Sequence, residues 1–110
     1  MTDAVVPEID VDELARRRAD GAFVLDVRRP DEYEAAHVPG AVLVPLDELA
    51  ARQDELPADQ PLLVICHSGA RSATAVRALT QAGYDATNVA GGTKAWIEAG
   101  NPVADGPEAG

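Results

Sequence analysis

The sequence predicts an α/β sandwich built on a mostly parallel sheet. Apolar runs of strand length alternate with helical stretches along the whole chain, the arrangement that covers both faces of a parallel sheet with helices. Its 110 residues suffice for one domain with a core. A hydrophobic content of 46% against 25% charged residues is that of a globular chain rather than a disordered one. No internal repeat or linker interrupts it.

Each element has a local reason. Asp10 followed by Glu13 resembles a capping box, and Val11, Leu14 and Ala15 give a short amphipathic helix that ends near Gly21. Phe23 to Val27 is an apolar run with Asp26 inside it, bounded by Gly21 and Arg28-Arg29-Pro30, and reads as a buried strand. Pro30, Asp31 and Glu32 open a short helix, because proline suits the first helical position and acids the first turn. A turn at His37-Val38-Pro39-Gly40-Ala41 leads to a second strand, Val42 to Val44, and Leu46 to Glu55 reads as a helix. Leu62 to Cys66 is the most apolar strand and the expected centre of the sheet. Ser72 to Ala82 follows as a helix with Ala75, Val76, Leu79 and Ala82 on one face and Gly83 to stop it. Thr87 to Val89 is a brief strand, Gly91-Gly92 a tight turn and Thr93 to Ala99 the last helix. The Gly-, Pro- and Ala-rich end is expected to fray, so the domain is placed at residues 5–103 and a flexible tail at 104–110.

Bulk properties exclude several classes. A net charge of −10 argues against nucleic acid and against anionic membrane surfaces. The apolar runs fall far short of the ~20 residues a membrane span needs, and Met1-Thr2-Asp3-Ala4 shows neither a basic n-region nor an apolar h-region, so no secretion signal is expected. One cysteine permits no internal disulfide, which suits a reducing cytoplasm. No metal cluster, dinucleotide fingerprint or phosphate P-loop is present, so no cofactor and no metal is inferred. The acidity also means that any anion site must be made locally, by backbone dipoles and one or two arginines.

That site is sought at Cys66. A cysteine that ends a buried strand is often no more than a small hydrophobe. Here, however, His67-Ser68-Gly69-Ala70-Arg71-Ser72 leads directly into a helix. Gly69 permits a tight backbone in which successive amides point inward, and the helix N-terminus adds partial positive charge. A free thiol with a pKa of ~8.5 is only about 3% ionised at pH 7, and such surroundings turn it into a thiolate nucleophile.

Taken together, Cys66 to Ser72, Asp26-Val27-Arg28, Glu32-Tyr33, His37-Val38-Pro39-Gly40-Ala41, Gly91-Gly92 and Trp96 resemble a single-domain rhodanese. The blocks occur in that family's order across nearly the whole domain. The resemblance implies a three-layer α/β/α rhodanese-like fold with a sheet of about five strands. It also implies a sulfurtransferase that moves sulfane sulfur from thiosulfate or a related donor, through a Cys66 persulfide, to cyanide, a thiol or a protein acceptor. The related dual-specificity phosphatases and arsenate reductases place five residues between cysteine and arginine, usually with a histidine before the cysteine. Here four residues separate Cys66 from Arg71, Ile65 precedes the cysteine, and no second thiol exists to resolve an arsenate intermediate.

The expected roles follow. Cys66 attacks the donor's outer sulfur, and the amides of His67 to Ser72 hold the thiolate and then the terminal persulfide sulfur. Arg71 either clamps the donor's oxygens or braces the loop by pairing with Asp26 or Glu32. Ser72 caps the helix or orients the loop. His67 either brings partial positive charge to the donor or points to solvent. Asp26 and Arg28 are expected to form a structural ion pair that supports the loop, since a charge inside a strand must find a partner. His37 is expected to fix its turn, and Tyr33 and Trp96 to pack. A different class of function is a persulfide carrier or regulatory binding module whose donor and acceptor are proteins, its acidic surface selecting a basic partner face.

Overall fold

The computed structural model describes residues 6–110; Met1 to Ala4 and the expected domain start at Val5 lie outside them. Five strands form one sheet: β1 (Glu8–Ile9), β2 (Phe23–Asp26), β3 (Val42–Leu43), β4 (Leu62–Ile65) and β5 (Ala86–Val89). Their order is β1-β5-β4-β2-β3, and every neighbouring pair is parallel. The helices are α1 (Val11–Ala19), α2 (Pro30–Ala35), α3 (Leu49–Arg52), α4 (Ala70–Gln81) and α5 (Gly92–Glu98).

Strand alternation sorts the core into two layers. Leu62, Val64 and Cys66 project to one face of β4, where they meet Leu49 of α3 and Val76 and Leu79 of α4. Leu63 and Ile65 project to the other, against Leu14 of α1, Tyr33 of α2 and Trp96 of α5. All four β4 residues are buried, as befits a central strand, and burying each such aliphatic side chain stabilises the fold by roughly 1.5–3 kcal/mol. Cys66 follows β4 at its carboxyl end, where open parallel sheets bind ligands.

The structure departs from the sequence expectations at four places. β1 is added as a two-residue edge strand, too short for any periodic signal. The helix expected over Leu46 to Glu55 contracts to four residues flanked by 3₁₀ turns; Leu49 is the one side chain between Leu46 and Glu55 that is fully buried, so little packing holds a longer helix in place. α4 starts at Ala70, two residues before Ser72, with Gly69 as its left-handed N-cap. The end of the chain is hydrogen-bonded rather than loose: Ala104 pairs antiparallel with His37, the Gly106 amide donates to the Glu34 carbonyl, and the Gly40 amide donates to the Ala109 carbonyl. The turn after α2 leaves backbone groups that must be paired, a demand that the tail's own composition does not reveal.

Candidate active site

The loop after β4 is shaped by α5. The carbonyls of Cys66 and His67 accept hydrogen bonds from the amides of Thr93 (2.8 Å) and Lys94 (3.0 Å) in the first turn of α5. In a trans peptide the N–H points opposite to the C=O, so anchoring the His67 carbonyl turns the Ser68 amide to the other side, where it helps to hold the sulfur's charge. Only glycine permits this approach: a Cβ on Gly92, whose φ is +60°, would stand 2.4 Å from the Cys66 oxygen and 2.6 Å from that of His67. The Gly91-Gly92 turn thus acts on the thiol through the loop's own backbone.

Cys66 is buried, and its Sγ accepts from the Gly69 amide at 3.1 Å and from the Ser72 hydroxyl at 3.3 Å. Burial pushes the thiol up, but the Ser72 hydroxyl and the amides of Ser72, Gly69 and Ser68 outweigh it and hold its pKa below the ordinary thiol value. Ser72 lies inside the first turn of α4, so it does not cap the helix; its buried hydroxyl orients the site instead. The side chains of His67 and Ser68 and the Ala70 methyl face solvent, which leaves the backbone as this loop's contribution.

Arg71 pairs with a carboxylate of α2. Its guanidinium donates both Nη1 (2.7 Å) and Nη2 (2.9 Å) to the Glu32 carboxylate, which also accepts the Arg29 amide at the start of α2. The Arg71 guanidinium lowers the Glu32 pKa to about 2 against a smaller opposing effect of burial. Of the open alternatives for Arg71, bracing through Glu32 is the arrangement found. Asp26 and Arg28 form the expected ion pair at the end of β2: Nη2 lies 2.8 Å from Oδ2 and the Arg28 amide 3.0 Å from Oδ1. Both are almost fully buried, and Nη2 also donates to the Ala36 carbonyl. An open groove of about 490 Å³ is lined by Arg28, Arg29 and Arg71 together with Leu46 and Asp47.

Farther out, His37 is buried and stacked on Tyr33 at 3.7 Å, its ring nitrogens facing the Tyr33 and Ala109 carbonyls. Trp96 is buried and donates Nε1–H to the Pro102 carbonyl. Sequence reasoning missed Asn88. It is buried on β5, accepts from the Ser72 hydroxyl, and donates to Glu8 and to the Gly69 carbonyl. The signal was available: a polar side chain inside a buried strand must be partnered, the rule already applied to Asp26.

Comparison with known proteins decides the family. A profile described as "Rhodanese-like domain" matches residues 10–99. The chain belongs to the rhodanese-like family. A rhodanese-related protein of Thermoplasma volcanium superposes with a TM-score of 0.84 at 35% identity, covering 93% of this chain and 99% of that one. A protein of Allochromatium vinosum named a sulfurtransferase is 38% identical over 102 residues, 90% of this chain and 95% of its own length. A Bacillus subtilis protein whose name marks it as a candidate sulfur carrier is 37% identical over 94 residues; the match covers 83% of this chain but 51% of that protein. The five-stranded parallel sheet between two helical layers is accordingly the rhodanese-like fold expected from the sequence.

Proposed function

We propose that this protein carries sulfane sulfur on Cys66, taking it from thiosulfate or a related donor and passing it to a thiophile such as cyanide or a thiol. The observation that carries this reading is the buried Cys66 Sγ held by the Gly69 amide and the Ser72 hydroxyl, with its pKa lowered. The sulfurtransferase and sulfur-carrier names of its relatives support it. In the loading step the Cys66 thiolate attacks the outer sulfur of thiosulfate, an S–S bond forms to Sγ, and sulfite leaves with the electron pair of the broken bond. In discharge an acceptor such as cyanide attacks the terminal sulfur, and Sγ departs as the thiolate. The amides around the site stabilise the anion in both states without reorganising.

Intact mass after incubation with thiosulfate tests the reading: one added sulfur, lost on adding cyanide with release of thiocyanate, is expected, and Cys66→Ser abolishes both. A wild-type chain that gains no sulfur overturns it.

A second reading is a carrier served by protein partners, with little turnover of free thiosulfate. Nη1 and Nη2 of Arg71 each donate to Glu32, which commits part of the guanidinium to the loop, and with one cysteine the chain must discharge to an outside acceptor. Fast loading from a persulfide-bearing protein beside slow loading from thiosulfate favours this reading; the reverse order favours the first.

A further inference from the structure

Ser72 has one hydroxyl hydrogen and two acceptors for it. Its Oγ lies 3.3 Å from Cys66 Sγ and also within hydrogen-bond distance of Asn88 Oδ1. A hydroxyl donates once, so the two bonds exclude each other at any instant. The far end of Asn88 determines which way its amide points. Nδ2 lies 2.9 Å from Glu8 Oε2 and 3.3 Å from the Gly69 carbonyl oxygen, both acceptors. A flipped amide would set Oδ1 against two oxygens, so Oδ1 is held toward Ser72. Asn88 is 1% exposed, and its carbonyl has no water to turn to when Ser72 leaves it.

We propose, on the reading that Cys66 works as a thiolate, that Asn88 is a positioning residue that takes the Ser72 hydroxyl whenever Sγ is uncharged and yields it when Sγ is ionised. With the thiol, or with Sγ bonded to a sulfane sulfur, the hydroxyl rests on Asn88. With the bare thiolate, it turns to Sγ by rotation about a single bond. Asn88 therefore opposes the bare thiolate and favours the sulfur-loaded protein, in which the negative charge has moved from Sγ to the terminal sulfur.

Several charged groups surround Cys66. Arg71 of α4 is tied to Glu32 of α2, and Asp26 and Arg28 at the end of β2 are paired with each other. Glu8 of β1 is linked through Asn88, and His67 and Lys94 border the loop. Among the described residues, none of these charged side chains bonds to the Ser72 hydroxyl.

Alkylation of Cys66 by iodoacetamide in the full chain, followed across pH, reads the thiolate fraction with no sulfur donor present. It therefore decides this proposal even if the chain fails to take sulfur from thiosulfate, an outcome that would sink the functional reading alone. Asn88→Leu is expected to raise the rate at mildly acidic pH about threefold, the effect of releasing one modest hydrogen bond. Ser72→Ala is expected to lower it by a similar factor, and the double variant to match Ser72→Ala. Asn88→Ala, which demands less space, repeats the test should leucine disturb the fold. A rate that rises only when Ser72 is present supports the proposal. An unchanged or slower rate in the Asn88 variants, as loosening of Gly69 alone would produce, overturns it, and so does a rise that persists without Ser72.

Discussion

The carboxyl ends of β2 and β4 lie side by side in the sheet and end in opposite kinds of loop. After β2, the Asp26 carboxylate and the Arg28 guanidinium satisfy each other in the dry interior, and the remaining reach of Arg28 is taken by the Ala36 carbonyl. After β4, among the described residues, no charged side chain hydrogen-bonds the sulfur; backbone amides and one hydroxyl face it instead. A full ion pair cancels charge and leaves nothing to react, whereas amide dipoles favour an anion while leaving it nucleophilic. One strand end is a closed frame and the other a site, and Glu32 and Arg71 link the helices that follow them.

Breaking the frame is expected to have the largest effect on stability. Asp26→Ala leaves the Arg28 guanidinium buried without a partner, and stability should fall by about 3–5 kcal/mol in urea unfolding. A loss under 1 kcal/mol would mean that Arg28 escapes to solvent, and the contrast between the two strand ends would weaken.

Gly92→Ala attacks the other strand end from behind. The new methyl meets the Cys66 and His67 carbonyls at a left-handed backbone position, so a loss of roughly 1–3 kcal/mol is expected. Iodoacetamide should also react more slowly at neutral pH, because the displaced His67 carbonyl no longer holds the Ser68 amide toward Sγ. Melting and alkylation measured on the same variant separate the two effects; a destabilised protein with unchanged alkylation would contradict the role assigned to α5.

The link between the two ends is weaker, since Glu32 and Arg71 are both partly exposed. Glu32→Gln should cost about 1 kcal/mol at neutral pH. The folded-state pKa of Glu32, about 2, lies below its ordinary 4.5. Its contribution is therefore complete above about pH 4.5 and lost as pH falls toward 2. Unfolding curves of wild type and variant should converge across that window; a constant difference would show that the carboxylate charge is not what binds Arg71.

The smallest expected effect sharpens the site itself. The pH profile of Cys66 alkylation should have its inflexion below that of a free thiol, and Ser72→Ala should move it upward. An inflexion at the ordinary thiol value would place burial above the amides and the hydroxyl.

Much of this was legible in the chain. β2, β4, α1, α4 and the position of Cys66 at a strand end followed from apolar runs and from caps such as Asp10, whose carboxylate accepts the Glu13 amide as expected. The Asp26–Arg28 pair was readable because its partners stand two residues apart on one strand end. β1, the broken helix around α3 and the docked tail were not, since each depends on what a distant segment leaves unpaired or unburied. Asn88 was overlooked although its type and place announced it.

By itself the sequence determined the order of the longer elements, β2, β4, α1 and α4, and the lone thiol at the end of the most apolar strand, because periodicity and capping act over a few residues. Tertiary structure alone decided the direction of the loop's peptides, the partner of Arg71 39 positions away, and the contact of Asn88 with a glutamate 80 positions distant. The physical reason is that a hydrogen bond has direction and a donor is spent once. Which carbonyl faces α5, and which acceptor takes the Ser72 proton, is set only when β1, β5 and α5 close around Cys66.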